Sequence, residues 1–255
     1  MKTTIFTLFA LLTCAFSFSQ SVVYPEWVRN YSDRDSMTNI PSAIDANGNI
    51  YVTGSVRTLN QGYNFATIKY NQQGDTLWVK TYNGTANLDD EAVAIALDAN
   101  GNIIVVGKSK NSNNDYDIVT IKYNTSGTVV FEKRYNGSVN GNDIPADVTT
   151  DNTGNVYTTG YSRQTVNYDY YITIKYTSTG TQSYIKTFNS TATGNCRATS
   201  VLWKNNRLFV CGFACQNTGT YSVTTQSYIA SNGVTLWTSN YGVVSAIPST
   251  PAKIA

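Results

Sequence analysis

The chain of 255 residues contains no histidine. That absence excludes Ser-His-Asp and Cys-His catalysis and every zinc site that needs imidazole. Charge is also sparse: Asp, Glu, Lys and Arg make up 13% of the residues, and the net charge of +2 falls by one if Lys2 leaves with a cleaved leader. With no basic face and no acidic tail, nucleic acid is not an expected partner. No P-loop or dinucleotide fingerprint stands in a strand-to-helix setting, so no cofactor is expected. After the first twenty residues no apolar run reaches the roughly 18 residues of a spanning helix, and no transmembrane segment is expected.

Tyrosine, threonine, asparagine and glycine are abundant instead, a composition that suits pleated strands joined by tight turns. The N-terminus has the pattern of an export leader: Lys2, an apolar run over 5–15, and small residues before Gln20. The signal peptide is therefore expected to be 1–19, and the mature chain 20–255 to be exported. Lipidation at Cys14 is the lesser alternative, because Thr13 is larger than the residue usual before a lipidated cysteine.

One pattern recurs along the mature chain. "DANGNIYVTG" ends at Gly54, "DANGNIIVVG" at Gly107, "DNTGNVYTTG" at Gly160, and a worn "NNRLFVCG" at Gly212, in steps of 53, 53 and 52 residues. "TIKY" follows at Thr67–Tyr70, Thr120–Tyr123 and Thr173–Tyr176, with "TQSY" at Thr225–Tyr228. A turn glycine followed four residues later by an aromatic residue gives Gly74 and Trp78, Gly127 and Phe131, Gly180 and Tyr184, Gly233 and Trp237. Three anchors on one period mean a solenoid, a propeller or an array.

The second copy reads as four strands: "AVAIALD", "NIIVVGKS", "DIVTIKYN" and "TVVFEKRYN". A four-stranded antiparallel unit of about 50 residues is the mark of a β-propeller blade. The expected fold is therefore all-β, with four blades of about 53 residues over 36–84, 88–137, 141–190 and 195–243. An orphan outer strand over 24–32 and the start of a further blade over 249–255 suggest an incomplete arc of a larger ring of about six to eight blades, within the usual range of 4 to 8.

The "DANGN" turn itself admits two readings. Gly48, Gly101 and Gly154 supply the positive φ of a hairpin reversal, while the Asp and Asn side chains bond nearby backbone. The rarer alternative is calcium held by Asp45, Asn47 and Asn49, whose oxygens alternate as in calcium loops. No bidentate glutamate follows, and the fourth copy begins with Lys204, so the turn reading is preferred.

The "D-x-x-G-N-x-Y-V-T-G" core of Asp45 to Gly54 resembles that of the SBBP-type β-propeller repeats, and the resemblance covers nearly all of the mature chain. It implies an exported bacterial protein, secreted or at the cell surface. It implies nothing about activity.

Three cysteines cluster in the fourth unit. If Asn205 and Asn206 form a two-residue hairpin, Cys196 faces Cys215 and Cys211 faces Ser200, so a Cys196–Cys215 disulfide is the candidate pairing. Three thiols without histidine make a poor metal set. Asp89, Asp90 and Glu91 form a carboxylate cluster, read as a solvated loop between blades rather than a glycosidase pair. Trp78, Phe131, Tyr184 and Trp237 recur once per unit and are expected to pack between blades rather than to stack on sugar.

The preferred function is a binding module without a catalytic site, hence not an enzyme in this segment. Its variable loops over 57–63, 111–115 and 163–169 would meet a protein or a glycan. The alternative is part of an enzyme propeller, such as a pyrroloquinoline-quinone dehydrogenase-like protein, whose repeat turn "GDTLW" and "GVTLW" resemble, or a carbohydrate-active protein.

Overall fold

The computed structural model describes residues 40–59, 62–165, 167–190, 194–217 and 219–244. The leader with Cys14, the orphan strand over 24–32 and the strand start over 249–255 lie outside the described residues. Among those residues there is no helix, and every regular element is a strand.

The strands form four antiparallel meanders. The first blade holds β1 (Ser42–Ile44), β2 (Ile50–Thr58), β3 (Gly62–Tyr70) and β4 (Thr76–Tyr82). The second holds β5 (Asp90–Leu97), β6 (Ile103–Lys110), β7 (Tyr116–Tyr123) and β8 (Val129–Tyr135). β9 (Asp143–Thr150), β10 (Val156–Arg163), β11 (Asp169–Tyr176) and β12 (Gln182–Phe188) make the third. The fourth comprises β13 (Cys196–Lys204), β14 (Arg207–Asn217), β15 (Thr220–Ile229) and β16 (Thr235–Val244). Consecutive sheets pack through β2, β3 and β5, then through β5, β6, β7 and β9, then through β9, β10, β11 and β13. The first strand of each blade is thus the inner one, and β4, β8 and β12 lie outermost. This is the propeller arrangement that the period predicts.

Why strand two reads as an unbroken apolar run follows from this packing. Side chains alternate across a strand. In β6, Ile103 and Val105 enter a core with Tyr51 and Phe65 of the first blade, while Ile104 and Val106 enter a core with Val156 and Ile172 of the third. A sheet covered on both faces needs apolar residues at successive positions. Each such isoleucine contributes about 1.5–3 kcal/mol on burial.

The glycines that mark the period have a separate cause. The first strand bulges between Ala92 and Ala94, at the Thr159/Gly160 step of the β9–β10 ladder, and between Ala198 and Ser200. At each bulge the strand's backbone crowds strand two. A Cβ on Gly107 would collide with the carbonyl of Glu91, one on Gly160 with that of Ile144, and one on Gly212 with that of Arg197.

Candidate functional site

The two ends of the sheet stack differ in chemistry. One carries the tight turns, and their donors and acceptors are spent internally. Asp45 Oδ1 accepts from the amides of Asn47 and Asn49, both at 2.9 Å, and Oδ2 accepts from Asn49 Nδ2 at 2.8 Å and Tyr51 Oη at 3.0 Å. Gly48, Gly101 and Gly154 sit at φ of 74°, 75° and 77°. Both carboxylate oxygens of Asp45 thus face N–H and O–H donors, an arrangement that repels a cation. The structure does not bring Asp45, Asn47 and Asn49 together as a calcium shell. Burial raises the Asp45 pKa, but hydrogen bonds from Asn49, Tyr51 and Asn47 outweigh it and hold the carboxyl below its ordinary value.

The same end ties each blade to the next through the lysine of "TIKY". Lys69 Nζ donates to Thr125 O at 3.3 Å, Lys122 Nζ to Gly154 O at 2.9 Å, and Lys175 Nζ to Ala230 O and Ser231 O, both at 3.1 Å. Lys122 also pairs with Asp98 at 2.8 Å, both buried. In the first and third blades the turn aspartate instead takes a tyrosine hydroxyl, Tyr51 or Tyr157; the second has Ile104 there, and the lysine replaces it. The strand-four aromatics belong to this seam. Trp78 lies against Gly127 and donates to Thr125 O, Phe131 lies against Gly180, and Tyr184 against Gly233. Trp237, against which no described blade packs, is 41% exposed.

The opposite rim carries the connections between strands two and three and those between blades. Here side chains cross the seams. Asp89 Oδ1 accepts from Tyr63 N, Asn142 Oδ1 from Tyr116 N, and Asn195 Oδ1 from Asp169 N, one such cap per seam at 3.2, 2.9 and 2.9 Å. Asp89, Asp90 and Glu91 do not converge. Asp89 pairs with Lys110 at 3.1 Å and Glu91 with Lys108 at 3.1 Å, while Asp90 turns inward and accepts from Gly84 N at 2.6 Å.

The rim carboxyls differ in acidity. Burial raises Asp89, but the hydrogen bonds from Lys110 and Tyr63 bring it below its ordinary value. Burial raises Asp90 and pushes Asp143 up to about 6. Each of the two has one buried oxygen without a hydrogen bond, while the other takes an amide, that of Gly84 or Gly137.

Two aromatic stations lie beside these groups. Lys108 and Lys110 stand over the Tyr116 ring at 4.5 and 5.3 Å, and Tyr116 donates its hydroxyl to Glu91 at 3.1 Å. Burial and the Glu91 charge push that phenol well above its ordinary value, so it stays a donor. One seam further, Arg197 stacks on Tyr161 at 4.3 Å. Its Nε and Nη2 donate to Asp169 Oδ2 at 2.9 and 2.6 Å, and Arg163 Nε donates to Asp169 Oδ1 at 2.6 Å.

Sequence reasoning missed the lysine ties and the Asp169 cluster. A lysine repeated inside an apolar strand signalled the first. The second joins residues 28 apart across a seam, with no local pattern.

The cysteines correct the hairpin register. Asn205 and Asn206 do form the turn, at φ of 48° and 57°, and Ser200 faces Cys211. The bulge then slips the ladder by one, so Cys196 faces Ala214 instead of Cys215. Adjacent residues point to opposite faces. All three cysteines are buried and none is in a disulfide, and Cys215 packs on Gly194. Among the described residues no three or more Cys, Asp or Glu side chains are grouped to hold a metal, and no helix is long and apolar enough to cross a membrane.

No family model and no curated protein match the chain, so its likeness to SBBP-type repeats remains unmatched at family level. Solved structures do match. A PL25 ulvan lyase bound to -[GlcA(1-4)Rha3S]- is 9% identical with a TM-score of 0.52, over 82% of this chain and 56% of the lyase. The structure of YjhT is 14% identical with a TM-score of 0.45, over 82% of this chain and 66% of that one. A GH43_1 enzyme from Xanthomonas citri complexed with xylose is 9% identical, TM-score 0.44, over 82% and 74%. The chain thus spans about two thirds or less of the lyase and of YjhT. The match to the lyase overturns the expectation of a chain that is not an enzyme, because a protein sharing this fold is a polysaccharide lyase. At such identities it is the fold that is shared, and the chain is a β-propeller similar in architecture to these proteins.

Proposed function

We infer that the chain is the propeller portion of a carbohydrate-active enzyme, exported on the leader over 1–19, with the rim of strand-two-to-three loops turned to the saccharide. The observation that carries this reading is the content of that rim. Tyrosine rings with cations on their faces stand among carboxyls whose environments push their pKa values apart, Asp89 down and the buried Asp90 and Asp143 up. Carboxyls separated in this way are the usual means of dividing acid and base roles in sugar chemistry. Aromatic faces with polar edges suit pyranose rings. The match to the lyase, a protein of this fold bound to a uronate-bearing glycan, supports the substrate class.

The test is incubation of the full chain with a panel of neutral and acidic polysaccharides. New reducing ends are expected; ultraviolet absorbance from unsaturated products would mark elimination, and reducing ends without it hydrolysis. If every polymer emerges uncut and unbound, the reading fails.

A further inference from the structure

The outer edge of the fourth blade is unlike the other three. β4, β8 and β12 each run for seven residues and carry a lysine at the fifth, Lys80, Lys133 or Lys186. β16 runs for ten, contains no charged residue, and has Ser239 at its fifth position. It is the last strand of its sheet, and every residue from Val234 to Gly242 is exposed. Its outward N–H and C=O groups therefore lack a ladder partner among the described residues.

One aromatic side chain stands bare on that strand. Tyr241 occupies the position of Tyr82, Tyr135 and Phe188, one period apart in the sequence. Those three are half-buried. Tyr82 tilts against Phe65 at 5.0 Å and accepts from Arg134 of the next blade, Tyr135 accepts from Gln164, and Phe188 stands edge-on to Tyr171. Tyr241 faces Val223 across the ladder and is 82% exposed. Trp237, four residues earlier, lies on the same face of the strand. The ladder between β15 and β16 is regular from Trp237 to Tyr241 and shifts register on either side, so Ser239 is the midpoint of the regular edge.

That midpoint makes the edge complementary to itself. In an antiparallel pair of identical strands a two-fold axis passes between a residue and its own copy, and residues equally far before and after it face each other. With the axis at Ser239, Trp237 meets Tyr241 of a second copy, twice, and Thr238 meets Asn240. Directly opposed aromatic side chains lie about 4.5–5.5 Å apart at Cβ and stabilise a strand pair. The same register on β4, β8 or β12 sets lysine against lysine at the axis, and like charges directly opposite are destabilising. We propose that β16 pairs antiparallel with β16 of a second copy about this axis, joining two fourth blades into one continuous sheet. Edge pairing leaves the broad faces of the blades apart, so the interface is small, roughly 1,200 Å² or less, and the dimer dissociates at micromolar concentrations. The pairing does not rest on the carbohydrate reading, since β16 carries none of the rim groups on which that reading stands.

The experiment is sedimentation velocity of the full chain from micromolar to millimolar concentration, and a monomer–dimer equilibrium is expected. Ser239→Lys should raise the dissociation constant at least about tenfold, the effect of like charges placed face to face. Tyr241→Ala, which removes both aromatic pairs from an exposed position, should raise it about tenfold. Register is read by Ser239→Cys under mild oxidation. Cys196, Cys211 and Cys215 are buried, and a thiol on the axis faces its own copy, so a disulfide-linked dimer should form. Lys133→Cys, at the same position on β8, should stay largely monomeric. A chain that is monomeric at every concentration overturns the proposal, whether a peptide strand or a saccharide then binds at Trp237. Equal cross-linking through Ser239→Cys and Lys133→Cys, or a dimer indifferent to either Ser239→Lys or Tyr241→Ala, overturns it as well.

Discussion

Buried charge decides several single positions. Lys122 and Asp98 form an ion pair with almost no exposure to water, and Lys122 also donates to the next blade. Removing one partner of such a pair leaves the other charged and dry, at a cost of about 3–5 kcal/mol. Lys122→Met should lose that much in urea unfolding, and adding Asp98→Asn should recover part of it. Burial raises Asp98, but its bonds to Lys122 and Asn102 hold it below its ordinary value. Its contribution is thus present above the unfolded value and is lost as pH falls through the folded one. Asp143 has the opposite sign. Its folded value, raised to about 6 from 3.8, means that the folded state binds the proton more tightly. The resulting stabilisation is complete below the unfolded value and disappears as pH rises through about 6. Thermal melts of wild type and Asp143→Asn between pH 4 and 8 should converge in slope everywhere except in that window, where only the wild type loses stability.

At the scale of the strand, the glycines divide into two kinds. Gly101 lies at positive φ, and a Cβ there would make only an ordinary contact with Thr125, so Gly101→Ala should cost about 1–2 kcal/mol of backbone strain. Gly160 meets the bulged backbone of β9, which cannot yield as a side chain could. Gly160→Ala should be the more damaging change in the same denaturant titration. Outer strands show a related economy. β4, β8 and β12 carry Lys80, Lys133 and Lys186 opposite Thr67, Thr120 and Thr173, whereas β16 has Ser239 opposite Thr225. Charged side chains on an open edge oppose strand addition. Ser239→Lys should therefore lower concentration-dependent light scattering.

For the whole molecule, the period of about 53 residues made the blade count and the strand order legible, because turn glycines and apolar runs are local signals. The bulges were not legible. A bulge inserts one residue and switches the face of those beyond it, as Ala92 and Ala94 enter different cores, and no sequence pattern announces it, so the counting that set Cys196 opposite Cys215 was off by one residue. The rim was legible only as three loops of variable sequence. Its Asp169 cluster and Asn142 cap depend on two blades meeting, which periodicity alone does not describe. The cores are likewise shared between neighbouring blades, so stability should behave as a sum of nearest-neighbour terms.

Where the lysine of a "TIKY" strand bonds to another blade, that blade is the C-terminal neighbour, so the stack has a direction as well as a sequence. What that lysine grips is mostly backbone carbonyl, which any residue supplies. Lengthening the array by duplicating residues 88–140 would thus hand the added unit a donor on one flank and acceptors on the other. Such growth by copying needs no simultaneous change in the partner surface, which is how a chain like this one tolerates three faithful units beside one that has drifted.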